Sequence, residues 1–383
     1  METPFMSVYF DGLPDPRVER TRKHLLTDIL VISVLAVICG AESWEDITDW
    51  GEAWEQWLRK YLRLPAGIPS HHTFRRVLSA LDKDAFNARF LDWARSVFGS
   101  TEGKIIAIDG KTLRGSRGPG AKDSALHIVS AWVTEDRVVF GQVATKAKSN
   151  EITAIPELLA LLDLKAATVT IDAMGCQKKI VEQIVERKAD YVIAVKDNQP
   201  TLHEGIEAAF VTADIAQEPI EQRCAFESSE KGHGRRELRK VRVLDATQRL
   251  DCGDQWAGLR SLVMVESERT CKGRTSNETR YYISSHVPDA QFMAKCIREH
   301  WGIENQQHWT LDMVFDEDRS RIRKGNAAMN FALLRRIALN VLKADRQDKR
   351  SLRRRRFIAS MGPEHLEKIL RRVIEPLVDP TRS

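Results

Sequence analysis

The chain has 383 residues, 43% hydrophobic and 30% charged, with a formal net charge of +5 and a pI near 8.8. That is the composition of a soluble globular protein long enough for two or three domains, and the mild basicity is only a weak pointer to a polyanionic partner. The six cysteines are scattered without a C-x-x-C pair, which excludes a zinc-knuckle spacing and a disulfide framework. With no signal-peptide pattern at the N-terminus, the expected compartment is the cytoplasm.

Residues 1–95 read as an all-helical domain. Arg17, Arg20, Arg22, Lys23 and His24 precede the apolar run "LLTDILVISVLAVICGA". That run is short for a membrane span and contains Asp28, so it is expected as a buried helix. "SWEDITDWGEAWEQWLRKYL" follows, with Trp50, Trp54, Trp57 and Leu58 spaced for one helix face and Ser43 with Asp46 as a cap. "PSHHTFRRVLSAL" places Ser70 at an N-cap position, with Arg75 and Arg76 early in the helix. That helix either reads DNA or presents an ordinary surface face.

From residue 104 the pattern changes. "IIAID", "ALHIVSAWV" and "RVVFGQVAT" read as strands, the last two joined by a hairpin. Then come a helix "EITAIPELLALL", a strand "ATVTID", a helix "QKKIVEQIVERK" and a strand "YVIAV". The order β-β-β-α-β-α-β predicts an α/β (α+β) fold: a ribonuclease-H-like mixed sheet with flanking helices. Residues 200–288 break the alternation with Arg-rich strands and are expected as a β-rich insertion. Helices resume near Asp289 and from about Asn326 to Lys343. The predicted division is a helical domain at 1–95, a catalytic domain at 100–345 containing the insertion, and a basic C-terminal tail at 346–383. The run Arg353 to Arg356 in that tail reads either as a phosphate contact or as a solvated surface.

Two strands stop at an aspartate. Asp109 ends "IIAID" and is followed by Gly110 and Lys111; Asp172 ends "TVTID". Asp-Gly alone is also a common turn pair. In the expected sheet the first and fourth strands are neighbours, so the two acids share one rim. Glu304, in "HWGIENQQHW", is the candidate third acid. Three carboxylates on separate elements suit hard divalent cations, and two Mg2+ ions roughly 4 Å apart support in-line phosphoryl displacement. Mn2+ is the expected substitute.

"FDGLPDPR", "PSHHTFRRVL", "AIDGKTLRGS", "KSNEITAIPELL", "TIDAMGCQ", "VKDNQPTL", "KGHGRRELR" and "HWGIENQQHWTLDMVFDED" occur in that order. With these the chain resembles the DDE transposases of bacterial insertion sequences, within them the H-repeat-associated group. The resemblance covers nearly the whole chain. It implies cleavage at element ends, strand transfer into target double-stranded DNA, and assembly as a homo-oligomer on that DNA. It makes Asp109, Asp172 and Glu304 the catalytic and metal-binding triad. Related transposases carry a Tyr-Arg-Glu-Lys signature around the glutamate; here those places hold Ile297, His300, Glu304 and Leu311. His300, Trp301 and Arg298 are therefore the expected DNA contacts on this helix. Lys111 and Arg114 after Asp109, and His233, Arg235 and Arg239 in the insertion, either bind DNA or are ordinary surface charges. A nuclease without strand transfer and a silent DNA-binding regulator are the competing readings.

Overall fold

The computed structural model describes residues 7–117, 125–145, 151–218, 221, 224–232 and 234–378. The N-terminal part is helical: α1 (Ser7–Phe10), α2 (Leu26–Cys39), α3 (Trp44–Ala53), α4 (Glu55–Leu58), α5 (His71–Ala80) and α6 (Lys83–Phe98). As expected, α2 is buried on nearly every side. Its Asp28 is satisfied by the Leu64 N–H at 2.9 Å. No single helix among the described residues is long and apolar enough to cross a membrane. The Ser43–Asp46 capping box forms as predicted. The tryptophan helix does not run through: it breaks at Trp54, where Trp50 stacks at 5.0 Å and Trp57 packs edge-on at 5.5 Å.

Among the described residues the sheet has nine strands in the order β3-β2-β1-β4-β5-β9-β8-β7-β6. Strands β1 (Ile105–Thr112), β2 (His127–Val133) and β3 (Val138–Thr145) form an antiparallel meander. Helix α7 (Glu151–Leu161) leads to β4 (Thr168–Ile171), and α8 (Lys178–Glu186) leads to β5 (Asp190–Val195). Strands β1, β4 and β5 run parallel. This is the predicted ribonuclease-H-like arrangement, and both faces of its apolar strands are covered, as parallel sheets require.

The insertion opens with a helix, α9 (Pro200–Ile215), and continues as β6 (Ala225–Gly232), β7 (Arg235–Asp245), β8 (Ser261–Cys271) and β9 (Arg274–Ser284). It is no separate layer. Strand β9 pairs with β5, so the insertion extends the core sheet.

Helix α10 (Ala290–Gly302), a π-helical segment (Ile303–His308) and α11 (Trp309–Met313) then form a continuous helical rod. Helix α12 (Ala327–Ala344) is buried along its length, and its apolar residues join those of α2, α5 and α6 in one core. Asn340 of α12 covers the free edge of β3, accepting from the Val139 N–H at 2.9 Å and donating to the Val139 carbonyl at 2.8 Å. The expected basic tail is instead largely folded. Helices α13 (Leu352–Ala359) and α14 (Pro363–Val378) complete the helical unit through Ala359, Leu366, Leu370 and Val373. Within the four-arginine run, Arg356 is buried against Phe315, 4.3 Å from the ring centroid, and donates to the Val37 carbonyl at 3.0 Å.

Candidate active site

Asp109 and Asp172 meet by register. The parallel β1–β4 pairing ends at Ile108 opposite Ile171, so the two aspartates are the next residues on adjacent strands. Neighbouring strands lie about 4.8 Å apart, and residues in register project to the same face. One detail differs from the expectation: β1 does not end at Asp109. It continues to Thr112 against β2, with Gly110 paired to Val129. Gly110 is therefore a strand glycine and makes no turn. It is a glycine because a Cβ there would lie 2.3 Å from His127 Nε2 and 2.4 Å from Glu151 Oε1.

The two carboxyls stand in different surroundings. Burial raises Asp109 to about 8, helped by the negative charges of Asp172, Glu304 and Glu151 and opposed by the Gly110 N–H. Burial also raises Asp172, as does the Glu151 charge. Its Oδ1 accepts from the Met174 and Gly175 N–H groups at 3.1 and 3.4 Å, and Lys196 acts in the same lowering direction. Glu304 is exposed at the start of the π segment. π-Helical turns are rare and concentrate at functional sites. A cleft of about 280 Å³ joins Asp172 and Glu304 with Lys196, Arg280, His300 and Trp301.

Sequence reasoning missed Glu151 and His127. They touch at 2.5 Å, are buried, and lie behind Asp109. Glu151 appeared in the sequence only as the first residue of a helix, and its proximity to both aspartates depends on how α7 docks. His308, four residues beyond Glu304, places Nδ1 3.5 Å from Asp109 Oδ2. Burial, reinforced by Arg336, Lys111 and His127, holds it down to about 3, so the ring is neutral.

Among the described residues no three His, Cys, Asp or Glu side chains are grouped closely enough to hold a metal ion. The donor chemistry nevertheless fits a hard divalent cation. All three expected ligands offer oxygen, and burial, with the charges of Asp172, Glu304 and Glu151 adding to it, raises Asp109 to about 8.

Several expected DNA contacts are otherwise engaged. Lys111 is buried and its Nζ lies 2.6 Å from Asp312 and 2.8 Å from Asp318, so its charge is already paired with acids. His300 is a neutral ring. Burial holds it down to about 4, and its Nδ1 lies 2.9 Å from Thr170 Oγ1. Arg17 is locked against Asp15 at 2.7 Å. Trp301 is flanked by Arg280 and Arg239, at 5.0 and 5.7 Å from its ring centroid. Arg298 pairs with Glu230 at 2.7 Å but keeps about half its side-chain surface exposed. Arg75, Arg76 and Arg235 are exposed, and Arg114 reaches only Asp318 at 3.6 Å with 84% of its side chain in solvent. His233 lies outside the described residues.

Residues 100–341 match the family model described as "Transposase DDE domain", and residues 8–94 match its companion, "DDE_Tnp_1-associated". The chain belongs to the DDE transposase family. It is 44% identical over 366 residues to "Putative transposase YncI" of Escherichia coli O157:H7, covering 94% of this chain and 93% of that protein. It is 41% identical over 375 residues to "H repeat-associated putative transposase YhhI" of Escherichia coli K12, covering 97% and 98%. Among solved structures, a piggyBac transposase synaptic complex with hairpin DNA aligns over 99% of this chain and 79% of that one, at 13% identity and a TM-score of 0.45. The family model spans β1 to α12, so it takes in both strands that carry the aspartates and the rod that carries Glu304.

Proposed function

We propose that this DDE transposase cleaves DNA at the ends of an insertion sequence and joins the freed 3′-hydroxyl to target DNA, with Asp109, Asp172 and Glu304 as its divalent-metal ligands. The observation that carries this reading is the register of β1 and β4. It sets two carboxyls side by side at the end of the parallel pairing, within electrostatic reach of a third acid on the crossing rod. Mg2+, with Mn2+ as substitute, would supply the Lewis acidity that activates the nucleophile and neutralises the leaving oxygen.

The protein groups have separate parts. Asp109, half-buried, and Asp172, anchored by two backbone N–H groups, form the fixed side of the site. Glu304, exposed on the rod, completes the set. Trp301 between Arg239 and Arg280 forms the adjoining wall against which DNA would lie, its cations suited to phosphate and its ring to a base. The exposed Arg75, Arg76, Arg114, Arg235 and Arg298 extend the cationic surface, and copies of the chain pair two ends as a homo-oligomer on double-stranded DNA.

The test is cleavage of a labelled element end in Mg2+ by Asp109→Asn, Asp172→Asn and Glu304→Gln. Each should lose cleavage while keeping the native circular dichroism. Near-normal cleavage by one variant would remove that residue from the triad. Pre-cleaved ends supplied with target DNA distinguish the activities: joined product supports a transposase, and its absence beside active cleavage supports a nuclease without strand transfer.

A further inference from the structure

Glu304 differs from the two aspartates in being carried on a rod that crosses the sheet. Two contacts fix that rod along its axis, one on each side of the π segment. On the N-terminal side His300, four residues before Glu304, meets Thr170 of β4 at 2.9 Å. On the C-terminal side Asp312, eight residues after Glu304, meets Lys111 of β1 at 2.6 Å. Thr170 is two residues before Asp172 and Lys111 two residues after Asp109. Side chains two apart on a strand project to the same face. Each strand that presents an aspartate therefore also presents, on the same face, the residue that grips the rod.

We infer that Lys111 and Thr170 are positioning residues that set Glu304 against Asp109 and Asp172, acting through Asp312 and His300. This rests on the metal-site reading above. The Lys111 contact is built for the purpose. Its Nζ is buried and also holds Asp318 at 2.8 Å, which ties down the chain just after the rod. Glu317 lies 3.9 Å from the same Nζ and is paired in turn with Arg336 of α12 at 2.7 Å. Downstream, Arg323 donates to the Gly115 carbonyl at 2.8 Å, so the rod's continuation is docked on the segment that leaves β1. A π segment adds backbone within a helix and would otherwise leave the angular position of Glu304 loosely set; anchoring its two flanks to the two aspartate strands removes that freedom.

The experiment uses the full-length chain and Mn2+ as probe, with affinity read by calorimetry or by the electron paramagnetic resonance of free Mn2+. Asp312→Ala removes one anchor while Asp318 still compensates Lys111; Thr170→Val removes the other at nearly constant volume. Each should weaken Mn2+ binding about 10-fold, the lower end of what outer partners of ligands contribute. In a Glu304→Gln background neither should weaken it further, because the residue they position no longer binds. Lys111→Arg, which keeps the charge, should bind Mn2+ close to wild type. Circular dichroism monitors folding, and if Asp312→Ala fails to fold, Thr170→Val decides. Wild-type Mn2+ affinity in the anchor variants, or equal losses with and without Glu304, overturns the positioning role. Asp109→Asn separates the two readings. If it abolishes binding while the anchors do not matter, only this inference falls; if it too leaves binding unchanged, the metal site falls and this inference with it.

Discussion

Gly110→Ala should destabilise the protein and do so next to the acids. The Cβ would sit 2.3 Å from His127 Nε2, 2.4 Å from Glu151 Oε1 and 2.8 Å from Glu151 Cδ. Ordinary contacts are near 3.5 Å or more, so the neighbours must retreat by about 1 Å. Neither has room: both are buried, and the His127 ring is held on its other side by Thr112 Oγ1 at 2.8 Å from Nδ1. Overpacking a filled site costs about 1–3 kcal/mol, and two obstructed atoms place this case at the upper end. The urea midpoint of the full-length variant should fall, with the denaturant slope unchanged. Glu151→Ala opens the space, so adding Gly110→Ala to it should cost less than adding it to wild type. An unchanged midpoint in Gly110→Ala would refute the packing argument. Strict additivity with Glu151→Ala would show that Glu151 is not the obstacle.

Asn340→Ala strips both hydrogen bonds from Val139 and leaves a buried N–H and carbonyl on the edge of β3 unpaired; about 2–5 kcal/mol should be lost, read as a lower urea midpoint. His300 should not titrate between roughly pH 6 and 8, because burial holds its folded pKa to about 4 while the unfolded value is near 6.5. The unfolded chain then binds the proton first, so the His300 contribution to stability is intact above about pH 6.5 and is lost as pH falls towards 4, by up to about 1.4 kcal/mol per pH unit. A histidine NMR titration of His300 near its ordinary value would refute this.

The core sheet was legible because its information is local. Apolar runs bounded by turn residues gave five strands, and their alternation with two helices gave the neighbours of β1. The adjacency of Asp109 and Asp172 followed once that order was taken as the ribonuclease-H-like sheet, in which the first and fourth strands are neighbours. Strand β6 was not legible: "AFESSEKG" is polar and mostly exposed, held chiefly by pairing with β7, with Phe226 its one apolar anchor among the described contacts. Nor was the fate of the cations. Lys111 and its partner Asp312 are far apart in the chain, so a lysine after a strand-end aspartate reads as a ligand contact until the rod is in place. Four consecutive arginines read as one surface feature, yet a helix turns each to a different side, and Arg356 points inward.

The same distinction bears on the residues that stand at the Tyr-Arg-Glu-Lys places around Glu304. Leu311 occupies the lysine place and is fully buried in the helical core, where a lysine would carry its charge out of water. His300 occupies the arginine place and is a neutral ring against one threonine hydroxyl. Ile297 occupies the tyrosine place and packs beside Val192, Met293 and Cys296. These three positions are thus committed to packing against the sheet and the helical core. The positive charge beside the acids comes from elsewhere: Lys196, just past β5, and Arg280 of β9 line the cleft with Asp172 and Glu304, and Arg239 of β7 reaches Trp301. Placing arginine at 300 would restore the signature and put a permanent charge where this chain holds a neutral ring against Thr170. In this chain the cationic wall belongs to the end of β5 and to the inserted strands, and the rod is left to carry Glu304 and to hold it in place.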